Sequence, residues 1–139
     1  MEVELIRVDE AFHFEAKGNS GNIVHIDAAE KVGGTNSGSR PMELLLMGLG
    51  GCTAIDVLII LKKQRQQIDS LKINVAGERV KIEGTEMTPF RKINIHFAFT
   101  GQLSIEKAKK AIILSMEKYC SATAQFSPSA EITHTFTVN

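Results

Sequence analysis

Residues 41–66 read PMELLLMGLGGCTAIDVLIILKKQRQ, and this stretch decides the fold. Proline is favoured at the first helical position, and Glu43 sits in the first turn, where the helix dipole favours an anion. The basic and polar Lys62-Lys63-Gln64-Arg65 suits a C-terminal end. A helix from Pro41 to about Gln66 is roughly 39 Å long, enough to cross a whole domain. Gly48, Gly50 and Gly51 each weaken it by roughly 1 kcal/mol relative to Ala. Glycine there makes sense where another backbone packs close, or where the helix bends. Within this run, residues 44–61 are 18 apolar or small positions with one charge, Asp56, close to the minimum for a membrane span. The mid-run charge, the glycines and the amphipathic segments elsewhere favour the buried centre of a soluble protein.

Outward toward the N-terminus, the first 27 residues read as strands with turns. Phe12-His13-Phe14 alternates, Gly18-Asn19-Ser20-Gly21 is rich in turn formers, and Asn22–Asp27 carries Ile23, Val24 and Ile26. The pattern is a β-hairpin. Residues 28–40, with Gly33-Gly34-Thr35-Asn36-Ser37-Gly38-Ser39, form a loop by composition. They match neither GxxxxGK[ST] nor GxGxxG, and read as a flexible connector bordering a site.

Toward the C-terminus, Leu71, Ile73 and Val75 are apolar at odd positions, and after Gly77 the phase moves to Val80 and Ile82. A one-residue slip at a glycine predicts a β-bulge. After a turn at 84–89, Ile93, Ile95, Phe97 and Phe99 alternate with polar or small residues, so His96 points away from the core. Ser104 caps a predicted helix over 105–119, with Glu106 in its first turn and Cys120 at its C-terminal end. Ser127-Pro128-Ser129 is a loop, and residues 132–138 are a last strand. The order is hairpin, long helix, two strands, helix, strand: a single α+β domain over residues 1–139.

Sixteen basic residues balance sixteen acidic ones in the 139-residue chain. Zero net charge leaves no field to gather nucleic acid or an anionic membrane, so neither is expected as a partner. Two cysteines, Cys52 and Cys120, are too few for a disulfide scaffold. The N-terminus MEVELIRVDE has no signal-peptide pattern, which places the protein in the cytoplasm with its thiols reduced.

The cysteines are either small buried hydrophobes or a redox pair. A reactive thiol needs a nearby cation, metal or helix N-terminus. Cys52 lies about 18 Å from the helix start, beyond reach of that dipole. Asp56, four residues on, works against a thiolate on that face, so any activating cation comes from another segment. Cys120 at a helix C-terminus faces the negative dipole end. If the two work as a redox pair, Cys52 with an Arg or Lys from another segment is the better nucleophile and Cys120 the resolving thiol. His13, His25, His96 and His134 show no zinc-motif spacing; His134, on an apolar face, reads as a core histidine. Met42, Met47 and Met116 read as core filler. No metal or cofactor is expected, although folding could bring Cys52, Cys120 and a histidine together.

Pro41 to Thr53 resembles the central-helix motif of the OsmC/Ohr proteins, and Lys118-Tyr119-Cys120-Ser121 resembles their second cysteine segment. Element order and length agree over nearly the whole chain. The resemblance implies an α+β OsmC-like fold, with antiparallel strands wrapped around long central helices in an intertwined homodimer. It implies a site near the dimer interface. It also implies thiol-dependent reduction of organic hydroperoxides in oxidative-stress defence. Cys52 takes the peroxidatic position, Cys120 closes the disulfide, and a thiol reductant such as a dihydrolipoyl protein resets the pair.

The family's peroxidases add an Arg from the hairpin turn and a Glu directly after the helix-starting Pro. Here Lys17 borders the turn and stands in for the Arg as a point charge. Glu43 supplies the acid one residue late, about 100° around the helix. The candidate catalytic set is therefore Cys52, Cys120, Glu43 and Lys17, in a chain closer to the less-characterised OsmC-like branch. The alternative is a non-catalytic OsmC-like dimer that binds a small apolar or thiol-bearing ligand in the same pocket.

Overall fold

The computed structural model describes residues 1–139. The chain forms two compact units, Met1–Leu45 and Leu46–Asn139.

The first unit carries a three-stranded antiparallel sheet of β1 (Glu4–Arg7), β2 (Phe14–Lys17) and β3 (Ile23–Ile26) in that order. The expected hairpin is β2–β3, closed by the Gly21 N–H donating to the Gly18 carbonyl at 3.0 Å. Gly21 has φ +76°, where the absence of Cβ removes the steric cost.

Residues 28–40 are not the flexible connector expected from composition. The Asp27 carboxylate, 1% exposed, accepts the N–H groups of Ala28 (2.7 Å), Thr35 (3.1 Å) and Ser37 (2.9 Å) and the Thr35 hydroxyl (2.9 Å). These donors satisfy a buried anion that would otherwise be costly. The Ser37 N–H above all, against the opposing effect of burial, holds its carboxyl at about 2. The long helix then begins as expected: Glu43 accepts the Arg40 N–H at 3.0 Å, the return arm of a capping arrangement.

That helix, α1, runs Pro41–Lys63, ending three residues before the expected Gln66. Arg65, at φ +56°, reverses the chain just beyond it. Most of α1 lies in the second unit. There Leu49, Thr53, Val57 and Leu61 are fully buried, a ridge of every fourth residue on one face. The ridge lies over a second sheet: a Cβ on Gly50 would come within 2.9 Å of Val75 Cγ2. Gly50 is therefore glycine because β4 passes beneath it. Cβ atoms on Gly48 and Gly51 would meet nothing within 4 Å. Met47, Ile55, Leu58 and Ile59 are exposed beside them. The buried centre expected from sequence thus holds for one face of α1 and not the other. By length and composition alone α1 could cross a membrane, and 28% of its apolar window is buried.

The second sheet has the order β4 (Ser70–Arg79), β5 (Phe90–Thr100), β6 (Glu131–Val138). Ile93, Ile95, Phe97 and Phe99 are buried as alternation predicts, while His96 faces outward and bonds Thr135 Oγ1 at 2.8 Å. His134 is only half-buried, not in the core as expected. The predicted bulge falls between Glu78 and Arg79, next to Gly77, where a Cβ would lie 2.5 Å from the Phe90 ring. One ladder departs from the antiparallel expectation: β5 and β6 run parallel. Residues 101–130 between them supply the long crossover that parallel strands require.

The helix expected over 105–119 is present with those bounds, but its last turn is not α-helical. The regular helix α2 spans Ile105–Leu114, with the expected Ser104 cap accepting the Lys107 N–H. Ser115–Tyr119 then widens into a π turn, and a short helix, α3 (Ser121–Phe126), follows.

Candidate functional site

Two segments of the second unit meet at the cysteines. Cys52 sits on α1 with Asp56 one turn further on, so helical periodicity puts both side chains on one face. Cys120 arrives from the π turn, its N–H donating to the Ser115 carbonyl at 2.7 Å. The Cys52 sulfur, the Cys120 sulfur and an Asp56 carboxylate oxygen all lie within 4.8 Å of one another. Both cysteines are free thiols; Cys52 is half-buried and Cys120 is 4% exposed. A disulfide would bring the two sulfurs from within 4.8 Å to roughly 2.05 Å.

Ser115 ties the two segments together. It is fully buried, and its hydroxyl donates to Asp56 Oδ2 at 3.1 Å. The carboxylate is thereby oriented from outside the pair.

Cys120 caps the C-terminal end of the helical stretch that closes at Tyr119, as the sequence suggested, and is at the same time the N-cap of α3. Its sulfur accepts the Thr123 N–H at 3.3 Å. Burial first, then the neighbouring Cys52 thiol, pushes the Cys120 thiol above its ordinary value, with the Thr123 contacts opposing. The buried thiol thus stays protonated more readily. Next to the cluster, a cavity of about 360 Å³ is bordered by Asp56, Ile59, Lys63, Leu114 and Tyr119.

The structure therefore brings Cys52 and Cys120 together. Of the other two candidates, Lys17 pairs with Glu4 across β1 and β2 at 3.5 Å, and Glu43 holds the Arg40 N–H. Both of these contacts belong to the first unit. Asp56 entered the sequence reading only as an adverse charge, although its i+4 spacing from Cys52 already put the two on one face. Ser115 was missed outright. Its place depends on the π turn, which no spacing in the sequence announces.

A pair of cysteines, one within a long apolar helix and one from the segment after the π turn, in a chain of α+β composition with two three-stranded sheets, defines the class. The chain belongs to the OsmC-like protein family, whose model matches residues 34–135. Among similar proteins, Protein YhfA of Escherichia coli K12 is 40% identical over 107 residues, covering 74% of this chain and 78% of the relative. The crystal structure of a hypothetical protein from Aquifex aeolicus VF5 superposes with a TM-score of 0.79 at 33% identity, covering 99% of this chain and 96% of the other. The organic hydroperoxide resistance protein OhrB of Bacillus subtilis superposes with a TM-score of 0.70 at 19% identity, covering 98% and 96%. At that identity the likeness is one of fold.

Proposed function

We propose that this protein reduces organic hydroperoxides in the cytoplasm with Cys52 as the attacking sulfur and Cys120 as the resolving one. The observation that carries the reading is the approach of the two sulfurs, from segments 68 residues apart, to within 4.8 Å. Membership of the OsmC-like family, and the OhrB neighbour's description as an organic hydroperoxide resistance protein, support it. The apolar side chains beside the site favour an alkyl or aryl peroxide over hydrogen peroxide.

The chemistry balances in three steps. The Cys52 thiolate attacks the outer peroxide oxygen; the O–O bond breaks, and the leaving alkoxide takes a proton to become the alcohol. Cys52 is left as a sulfenic acid. The Cys120 thiol then attacks that sulfur, forming the disulfide and releasing water. A dithiol reductant, such as a dihydrolipoyl protein, exchanges with the disulfide and is itself oxidised.

The same reading includes a homodimer. Gly48 and Gly51, with exposed Met47, Ile55, Leu58 and Ile59, give α1 an open apolar face on which a second copy's helix could approach closely. Stopped-flow consumption of cumene hydroperoxide in the presence of a dithiol tests the activity. Wild type is expected to consume the peroxide, and Cys52→Ser only at the background rate. Equal background rates in both would sink the reductase and leave a ligand-binding dimer in its place.

A further inference from the structure

We propose that in the reduced protein Cys52, Cys120 and Asp56 form a binding site for a divalent transition-metal ion of the zinc class. This inference stands apart from the peroxide chemistry and holds whether or not the protein turns over a peroxide. The donor set is the first argument. Two thiolates and a carboxylate are ligands that a borderline-soft divalent cation accepts together, in contrast to the all-oxygen sets of Mg²⁺ and Ca²⁺.

Geometry is the second argument. Around a tetrahedral zinc, with Zn–S near 2.3 Å and Zn–O near 2.0–2.2 Å, neighbouring ligand atoms sit about 3.6–3.8 Å apart. The three atoms here already lie within 4.8 Å of one another, so a contraction of about 1.2 Å at most completes the set. Cys52 and Asp56 are one turn apart on the same helix, which gives two ligands a rigid common base. Cys120 closes the site from a different segment.

The surroundings are the third. Ser115 holds Asp56 Oδ2 at 3.1 Å, the outer hydrogen bond that orients a ligating carboxylate. Cys52 and Asp56 are half-buried while Cys120 is buried, and the cavity of about 360 Å³ beside Asp56 offers an approach. With three protein ligands, the fourth position falls to water or a small ligand.

The charge balance also favours a cation. A divalent ion brings two positive charges to three donors that are anionic when they ligate it. It takes both thiolates, releases two protons to solvent and offsets two of the three negative charges. Disulfide and metal are mutually exclusive, because each requires both sulfurs.

The test is titration of Co²⁺, then Zn²⁺, into the full-length, fully reduced and chelator-stripped protein without oxygen. One Co²⁺ per chain is expected to bind with a thiolate-to-cobalt charge-transfer band, displaced by Zn²⁺. The band should vanish in Cys52→Ser and after oxidation to the disulfide. Asp56→Asn, nearly identical in shape, should keep the cysteines but bind at least about tenfold more weakly. On unaltered protein, Zn²⁺ should protect both cysteines from alkylation. Absence of the band in wild type, its persistence in Cys52→Ser, or unprotected cysteines would overturn the proposal. Peroxide consumption by the same metal-free samples reports separately on the reductase reading.

Discussion

The Ser115 hydroxyl donates to the Asp56 carboxylate at 3.1 Å, joining the π turn that carries Cys120 to the helix that carries Cys52. A hydrogen bond to a charged acceptor is worth about 1.5–3 kcal/mol. Ser115→Ala should therefore lower unfolding stability by about 1–3 kcal/mol in urea titrations. It should also slow oxidant-driven formation of the Cys52–Cys120 disulfide, followed by thiol titration, because the two segments lose a direct tie. Unchanged stability and disulfide rate together would show that the π turn is held by other contacts.

Asp27 makes the loop at 28–39 sensitive to acid. Its carboxyl is held at about 2, below an unfolded value near 3.9. A depressed folded value means that the stabilisation is fully present above the unfolded value and is lost as pH falls toward 2. Hydrogen exchange of the Thr35 and Ser37 amides should show strong protection at neutral pH. In Asp27→Asn that protection should drop, and the stability difference between the two proteins should shrink between about pH 4 and pH 2.

Gly77 and Gly50 are glycines for want of space. A Cβ on Gly77 would lie 2.5 Å from the Phe90 ring, and one on Gly50 would lie 2.9 Å from Val75 Cγ2. Gly77→Ala should destabilise by about 1–3 kcal/mol, the usual cost of overpacking. Gly50→Ala should cost less, because Val75 can turn and because Ala favours the helix by about 1 kcal/mol. Thermal melts of the two variants should rank them in that order.

Gly51 separates the two fates of α1's open face. Beyond the helix's own backbone, nothing lies within 4 Å of a Cβ there. In an isolated chain Gly51→Ala should raise stability by about 1 kcal/mol through helix propensity. If a second copy's helix lies against it, Gly51→Leu should shift sedimentation equilibrium toward monomer. A wild type that sediments as a monomer at all concentrations would remove the homodimer from the proposed function.

Much of the architecture was legible from local chemistry. Pro41, Glu43 and the basic tail of the helix mark α1 because caps and dipoles act over one turn. The alternation through Ile93, Ile95, Phe97 and Phe99 marks β5 because side chains in a strand repeat every two residues. The slip at Gly77 announced the bulge for the same reason. The π turn at 115–119, the short helix after Cys120 and the parallel β5–β6 ladder were not legible, since each depends on what the segment packs against.

The candidate site divides along the same line. The sequence by itself determined the α+β order, the cysteine at the centre of a long helix and the placement of Asp56 on that cysteine's face, all from interactions spanning a few residues. Only the tertiary structure decided that Cys120 meets Cys52, that Asp56 joins them, and that Ser115 holds Asp56. Contacts between segments some sixty residues apart follow from how the helix settles on the sheet, and periodicity carries no record of that distance.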